Sequence, residues 1–383
     1  MKLLFINGHL NTGGVEKSLV DILTHIDTNQ HEVDLLLLEG LGDYADQLPP
    51  DIHVNLHCLT NTYGSLGTSL IRCIRQHDWL CLKMRLIFLL MKFFGQEKIS
   101  LAKNLLTDGK HYDCVIGFRR GICTQIASHA VNADRKITWW HHGVFNADPE
   151  SYFEEVKNCD KIVSVSNACS TFIAEAVPQL SSKLVMIPNM LDTSIVQKKA
   201  SLFSPYQQDD RLHIVSVGGL VPEKHFQNAI FAAKTLKELG ISFRWHLVGD
   251  GPERAFLEKV LSDAGIQDCF IMEGNQPNPY PYMKNADLFV HPSYVESQGI
   301  VVMEAMALGI PCVVTKSLGP CEFIEDGING ILTEQCPEDL SEKVLNILSD
   351  TSLYKQIKSH TRCPDSFLPH QVMKKITSLL ENI

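Results

Sequence analysis

Short, unbroken apolar runs recur along this chain, and they alternate with stretches whose apolar residues follow helical spacing. Leu3–Ile6 is the first such run, and Val15, Leu19, Ile22, Leu23 and Ile26 follow it at helical intervals. Val33–Leu38, Val54–Leu56, Cys114–Phe118, Ile137–Trp140, Ile162–Val165 and Val185–Ile187 continue the series. A strand that is apolar on both sides needs cover on both faces, so these runs predict parallel strands flanked by helices. The N-terminal stretch Met1–Gly8 is too short for a secretion signal and reads as a first buried strand entering a glycine-rich loop.

The pattern then restarts. Leu212–Val217 leads to a helix near Phe226–Leu239 that ends at Gly240, and Phe243–Val248 leads to a helix at Glu253–Ala264. Phe270–Met272, Leu288–Val290 and Cys312–Thr315 complete the second set. A chain of 383 residues is long for one core. The expected plan is therefore α/β, with residues 1–196 and 211–362 as two Rossmann-like doubly wound domains facing across a cleft. A polar linker is expected at 197–210, and a C-terminal helical segment at 363–383 that packs back on the first domain. Ligands of such sheets bind beyond the carboxyl ends of the strands.

The net charge of −10 gives no footprint for nucleic acid. Twelve cysteines are scattered with no C-x-x-C pair, which argues against a zinc ribbon and for buried, reduced thiols of a cytoplasmic protein. No apolar stretch reaches the length of a membrane span. One segment departs from the acidic average. Between Leu70 and Lys98, six Lys and Arg residues face two acids around a dense apolar run from Trp79 to Phe94. It is either a helix buried against the first sheet or a helix on an anionic membrane surface.

The chemistry concentrates in Pro292–Pro311. A strand ends near His291, and a helix is predicted to start near Gly299 and stop at Gly309, with Pro311 beyond it. Glu296 falls in the loop before this helix and Glu304 within it. Free amides at the helix start suit an anion, Gly299 allows close approach, and the two carboxylates suit sugar hydroxyls.

This string resembles the E-x(7)-E signature of family 4 glycosyltransferases, which have the GT-B fold and retain anomeric configuration. Gly13-Gly14-Val15-Glu16-Lys17 resembles that family's N-terminal glycine loop, and Val217–Lys224 its phosphate-binding turn. Val163–Ser166, Ile187–Asp192 and Val248–Glu253 resemble further family segments. The resemblance implies that Glu304 holds the ribose of a nucleotide-sugar donor, Glu296 its sugar hydroxyls, and Lys224 the departing diphosphate. It places Gly13, Gly14, Gly218, Gly299, Ile300 and Asn275 at the donor, and His141, with His142 as the lesser candidate, near the reacting sugar. Arg119 and Arg120, just past a strand end, are candidates for a phosphate on the acceptor. Where the family often carries Arg, this chain has Gly219.

No metal or cofactor is expected, because the chain has no Asp-x-Asp clamp and a cationic side chain with helix ends must carry the leaving charge. The expected enzyme is a retaining hexosyltransferase of surface-glycan assembly. It would use a UDP-sugar and a saccharide or lipid-linked saccharide acceptor, in the cytoplasm or at the inner face of the membrane. Its rivals are a GT-B sugar-nucleotide epimerase and an inactive nucleotide-sugar-binding partner subunit. No G-x-G-x-x-G follows the first strand, which disfavours an oxidoreductase.

Overall fold

The computed structural model describes residues 1–57, 59, 71, 73–103, 105–141, 148–206 and 209–381. The chain forms two compact units, Met1–Met190 with Pro369–Ile383, and Leu191–Leu368.

The first unit holds seven parallel strands: β1 (Lys2–Asn7), β2 (Glu32–Leu37), β3 (His53–Leu56), β4 (His111–Gly117), β5 (Asn132–Trp140), β6 (Lys161–Ser164) and β7 (Leu184–Met186). Their order in the sheet is β3-β2-β1-β4-β5-β6-β7. Alternate residues of one strand serve opposite faces. Leu3 and Phe5 join one core cluster, while Leu4 and Ile6 join another. The helix Pro369–Glu381 covers the first face with Val372, Ile376, Leu379 and Leu380. The helix Trp79–Phe94 covers part of the second with Met84 and Ile87.

The second unit repeats the plan with β8 (Leu212–Val217), β9 (Phe243–Val248), β10 (Phe270–Gly274), β11 (Leu288–His291), β12 (Cys312–Thr315) and β13 (Ile331–Thr333). Their order is β10-β9-β8-β11-β12-β13, all parallel. In both sheets the order reverses beside the first strand, where a doubly wound sheet opens a crevice for ligand. Here too both faces are buried: Ile214, Trp245 and Val313 face one cluster, and Val215, Phe289 and Val314 the other.

Three features differ from the sequence expectation. The stretch 197–210 does not separate the units. The helix Thr193–Ala200 places Val196 and Ala200 in the second unit's core, and the Tyr206 ring stacks 4.3 Å from that of His213. A polar composition hid these few anchors. The C-terminal return begins at Pro369, because Cys363 and Phe367 are core residues of the second unit. The strand β13 was missed, since three residues carry too little periodicity to stand out. Among the described residues, no helix is long and apolar enough to cross a membrane.

Two glycine loops meet at the carboxyl ends of β8 and β9. A Cβ on Gly249 would lie 1.9 Å from the Gly218 carbonyl oxygen, and one on Gly251 would lie 2.5 Å from that of Leu220. These contacts let the Leu220 amide donate to the Asp250 carbonyl at 3.0 Å and the Glu253 amide to the Leu220 carbonyl at 3.0 Å. Gly249 also has φ +147°, a region that side chains rarely adopt. Gly249→Ala should therefore destabilise the protein by roughly 2 kcal/mol or more, the scale of overpacking combined with backbone strain. Urea denaturation followed by tryptophan fluorescence measures this, and an unchanged midpoint would refute the steric requirement.

Candidate functional site

In the second unit, β8 and β11 end side by side, and the segments that follow them are docked on each other. After β8 the chain turns at Gly218-Gly219-Leu220 and makes a short 3-10 turn, Pro222–Lys224. His225 then caps the helix Phe226–Glu238 with φ +48°, a left-handed conformation that is uncommon for a residue other than glycine. Its ring stacks on that of Tyr294 with centroids 3.7 Å apart. The Glu223 carbonyl accepts from the Tyr294 amide and from the Ser293 hydroxyl, both at 3.1 Å. Asn228 Nδ2 donates to the Tyr294 hydroxyl at 2.9 Å.

This docking delivers Lys224 to Glu296. The Lys224 ammonium donates to Glu296 Oε1, and the His291 ring contacts the same oxygen through Nε2. Burial pushes the Glu296 carboxyl up, but the Lys224 charge and His291 outweigh it and hold it well below the usual carboxylate range. Burial also lowers His291, more than Glu296 raises it, so the imidazole is neutral. A carboxylate has no proton to give, so Nε2 carries the hydrogen and Nδ1 is left as an acceptor. His291 is fully buried, and among the described residues its Nδ1 has no hydrogen-bond partner. An unsatisfied buried acceptor costs about 1–3 kcal/mol, so this histidine is a poor choice for stability alone and a good one for orienting Glu296.

The helix Ile300–Ala307 opens directly after this cluster. Gly299 caps it with φ +83°, and the Val302 and Met303 amides turn back to the Gly299 carbonyl. Among the described residues, the Ile300 and Val301 amides head the helix with no backbone carbonyl to bond. One turn later, Glu304 is buried, and Tyr280 donates to its Oε1 at 2.9 Å. The loop at Gly319 is tucked beneath: a Cβ there would lie 2.2 Å from the Gln298 Cα, and the Gly319 amide donates to the Glu296 carbonyl at 3.0 Å. Asn275 lies exposed just past β10. Among the described residues, nothing lies within 4 Å of a Cβ placed on Gly219.

The structure thus brings Lys224 to Glu296, in the loop that leads to Gly299 and Ile300, with Gly218 on the same loop as Lys224 and Glu304 one helical turn beyond. Sequence reasoning missed His291, Tyr294 and Tyr280. The available signal was weak: a polar residue closing an apolar strand, and a tyrosine within the string Pro292–Pro311.

In the first unit, Gly13 caps the helix Gly14–His25 in an extended conformation. A Cβ on Gly13 would lie 2.3 Å from Glu16 Oε2. Glu16 is itself buried, with Arg119 Nη1 3.6 Å and His9 Nδ1 3.8 Å from its Oε1. Arg119 also lies 3.2 Å from His9 Nε2. Arg120 sits over the rings of Trp140 and Tyr152, 4.3 and 5.0 Å from their centroids. Those rings come from the end of β5 and from the helix Pro149–Val156. His141 packs its ring 4.8 Å from that of Phe118, and His142 lies outside the described residues. The described cysteines are free thiols, buried apart from Cys321 and Cys336. Among the described residues, no group of three His, Cys, Asp or Glu side chains is arranged to hold a metal ion.

Lys224→Met would leave Glu296 buried without its cation. Removing one partner of a buried pair is strongly destabilising, and the partial exposure of Lys224 reduces the effect to about 2 kcal/mol at pH 7. The depressed Glu296 pKa makes the pair's contribution complete above the ordinary value of 4.5 and lost as pH falls below it. Urea denaturation at pH 7 and pH 4 should therefore show the gap between wild type and variant closing in acid. A gap that widens in acid would contradict this ion-pair assignment.

Comparison with known proteins extends this description. Residues 198–362 match the family described as Glycosyl transferases group 1. The lipopolysaccharide core biosynthesis glycosyltransferase LpsE of Rhizobium meliloti is 34% identical over 209 residues, 53% of this chain and 57% of that protein. The N-acetyl-alpha-D-glucosaminyl L-malate synthase of Bacillus anthracis is 26% identical over 68% of this chain and 71% of its own length. The chain spans about half the length of several curated relatives it matches, including 44% of the alpha-D-kanosaminyltransferase of Streptomyces kanamyceticus. Among solved structures, Anabaena HepE in complex with UDP and glucose aligns over the whole of both chains with a TM-score of 0.73 at 18% identity. WaaG, a glycosyltransferase involved in lipopolysaccharide biosynthesis, covers 100% of both chains with a TM-score of 0.65 at 15% identity. The chain has the GT-B fold class of two Rossmann-like domains, and its second unit carries the sequence pattern of the group 1 glycosyl transferases.

Proposed function

We propose that this protein is a retaining glycosyltransferase of surface-glycan assembly. In this reading it moves a sugar from a UDP-sugar to a saccharide or lipid-linked saccharide. The observation that carries the reading is the Lys224–Glu296–His291 cluster at the head of the helix that bears Glu304. The family match over 198–362 supports it, as do structural neighbours solved with UDP.

The chemistry follows from the charges. The bond between the sugar's anomeric carbon and the diphosphate oxygen breaks, and its electron pair stays on that oxygen. The acceptor hydroxyl bonds to the same face of the carbon, and its proton passes to the departing diphosphate. Negative charge therefore grows where a cation and free amides must wait for it. Lys224 supplies the cation, and the Ile300 and Val301 amides supply fixed dipoles. Glu296, held by His291, keeps the lysine in place and offers its second oxygen to sugar hydroxyls. Glu304 offers Oε2 to the ribose while Tyr280 holds Oε1. The chain has no Asp-x-Asp motif, so these groups replace a metal clamp.

The test is incubation of the pure protein with radiolabelled UDP-sugars and membrane extracts. Labelled glycan supports the reading, whereas isomerised donor or binding without turnover overturns it. Lys224→Ala should lower kcat by on the order of 10²–10³ with a smaller effect on donor affinity, since its partner charge develops in the transition state. Activity should persist in EDTA. Calorimetric titration with UDP should show Glu304→Ala binding more than about tenfold weaker and Tyr280→Phe a few-fold weaker. Those are the scales of losing hydrogen bonds to a charged acceptor and of losing its orientation. Equal affinity in Glu304→Ala would remove the ribose assignment.

A further inference from the structure

The helix Trp79–Phe94 has two apolar faces, and the fold buries only one. Cys81, Met84 and Ile87, three residues apart, are buried, and Met84 and Ile87 pack with Leu4, Ile6, Leu36 and Leu38 of the first sheet. On a helix of 3.6 residues per turn, Trp79, Leu86, Leu90 and Phe93 form a stripe on the opposite side. Their exposures are 55%, 47%, 36% and 68%, and Phe94 beside them is 63% exposed. Ile71 and Ile74, just before the helix, are 55% and 52% exposed. The solvent side of a helix that covers a core is normally polar. Large apolar side chains gathered in one outward stripe mark a surface that meets something other than water.

The charges around the stripe say what that is. Arg75, Lys83 and Lys92 are exposed, Lys83 beside the stripe and Lys92 in the last turn of the helix. Between Leu70 and Lys98, six basic residues outweigh two acids, in a chain whose net charge is −10. The rest of the protein is therefore repelled by an anionic surface while this patch is drawn to it. Trp79 and two phenylalanines suit the boundary between headgroups and acyl chains, and flanking lysines reach the phosphates. A helix of 16 residues with one face in a protein core cannot span a bilayer, so it lies along the surface.

We propose that the exposed face of Trp79–Phe94 is a docking surface for an anionic lipid bilayer, with the Trp79, Leu86, Leu90 and Phe93 stripe inserted at the interface and Arg75, Lys83 and Lys92 on lipid phosphates. The surface belongs to the first unit and needs no substrate. Vesicle binding and UDP titration therefore succeed or fail separately.

The full chain is sedimented with vesicles of phosphatidylcholine alone and with vesicles containing phosphatidylglycerol. Wild type should pellet with the anionic vesicles and stay in solution with the neutral ones, and high salt should release it. Leu86→Ser with Phe93→Ser, and separately Lys83→Glu with Lys92→Glu, should each lower partitioning at least about tenfold. Thermal unfolding and UDP affinity should match wild type. Should the serine variant misfold, the exposed lysine pair decides the matter. The proposal is overturned if wild type ignores the anionic vesicles or if the lysine variant binds them as wild type does. It is also overturned if sedimentation velocity shows a dimer that the lysine variant dissociates while vesicle binding remains, which would make the stripe a contact between copies of the chain.

Discussion

Glu296 is the point on which the second unit's site depends. Its carboxylate is nearly enclosed, and burial of a lone anion would cost several kcal/mol. Two partners from different segments prevent that cost. Lys224 arrives from the turn after β8, and His291 stands at the last position of β11. The anion therefore fastens two neighbouring strand ends together, and the 3-10 turn that carries Lys224 is docked by backbone contacts to Ser293 and Tyr294. The arrangement holds a cation, a carboxylate and a helix start in fixed relation before any ligand arrives. Such preorganisation is what stabilising a developing charge requires.

Glycine serves this arrangement mostly by absence of bulk. Gly249, Gly251 and Gly319 each let one backbone segment lie against another, where a methyl group would overlap a carbonyl oxygen or a Cα. Gly13 does the same for a side chain, making room for the buried Glu16 carboxylate. The family resemblance implies a second use, in which Gly13 and Gly14 admit a diphosphate. The carboxylate itself now fills the space over Gly13, flanked by Arg119 and His9. Arg119 thus faces an internal acid, which offsets the charge it could offer to a ligand.

The segment Trp79–Phe94 shows how one composition can satisfy two demands. A helix that only covered a sheet would need one apolar stripe. This helix has a second, and Lys83 sits beside that second stripe. Of the two readings open at the level of sequence, the core helix describes its buried side, and the membrane-surface helix is what we propose for the exposed one.

The alternation of apolar runs and helical spacing determined the fold class, because strands covered on both faces leave few other architectures. It located most strands to within a residue or two. The string from Pro292 to Pro311 determined where the candidate site lies, since Glu296, Gly299 and Glu304 keep fixed spacing along one loop and one short helix. Only the tertiary structure decided what those residues touch. His291 and Tyr280 reach Glu296 and Glu304 through folding, and their local sequence marks His291 weakly, as a polar residue closing an apolar strand, and Tyr280 not at all. The glycine contacts are likewise invisible in sequence, because the atom each one avoids belongs to a different loop. The unit boundary also had to come from packing. The stretch 197–210 is polar enough to read as a linker, yet Val196, Ala200 and Tyr206 are enough to hold it on the second unit. Periodicity records which residues leave water, whereas partner identity depends on contacts between residues far apart in the chain.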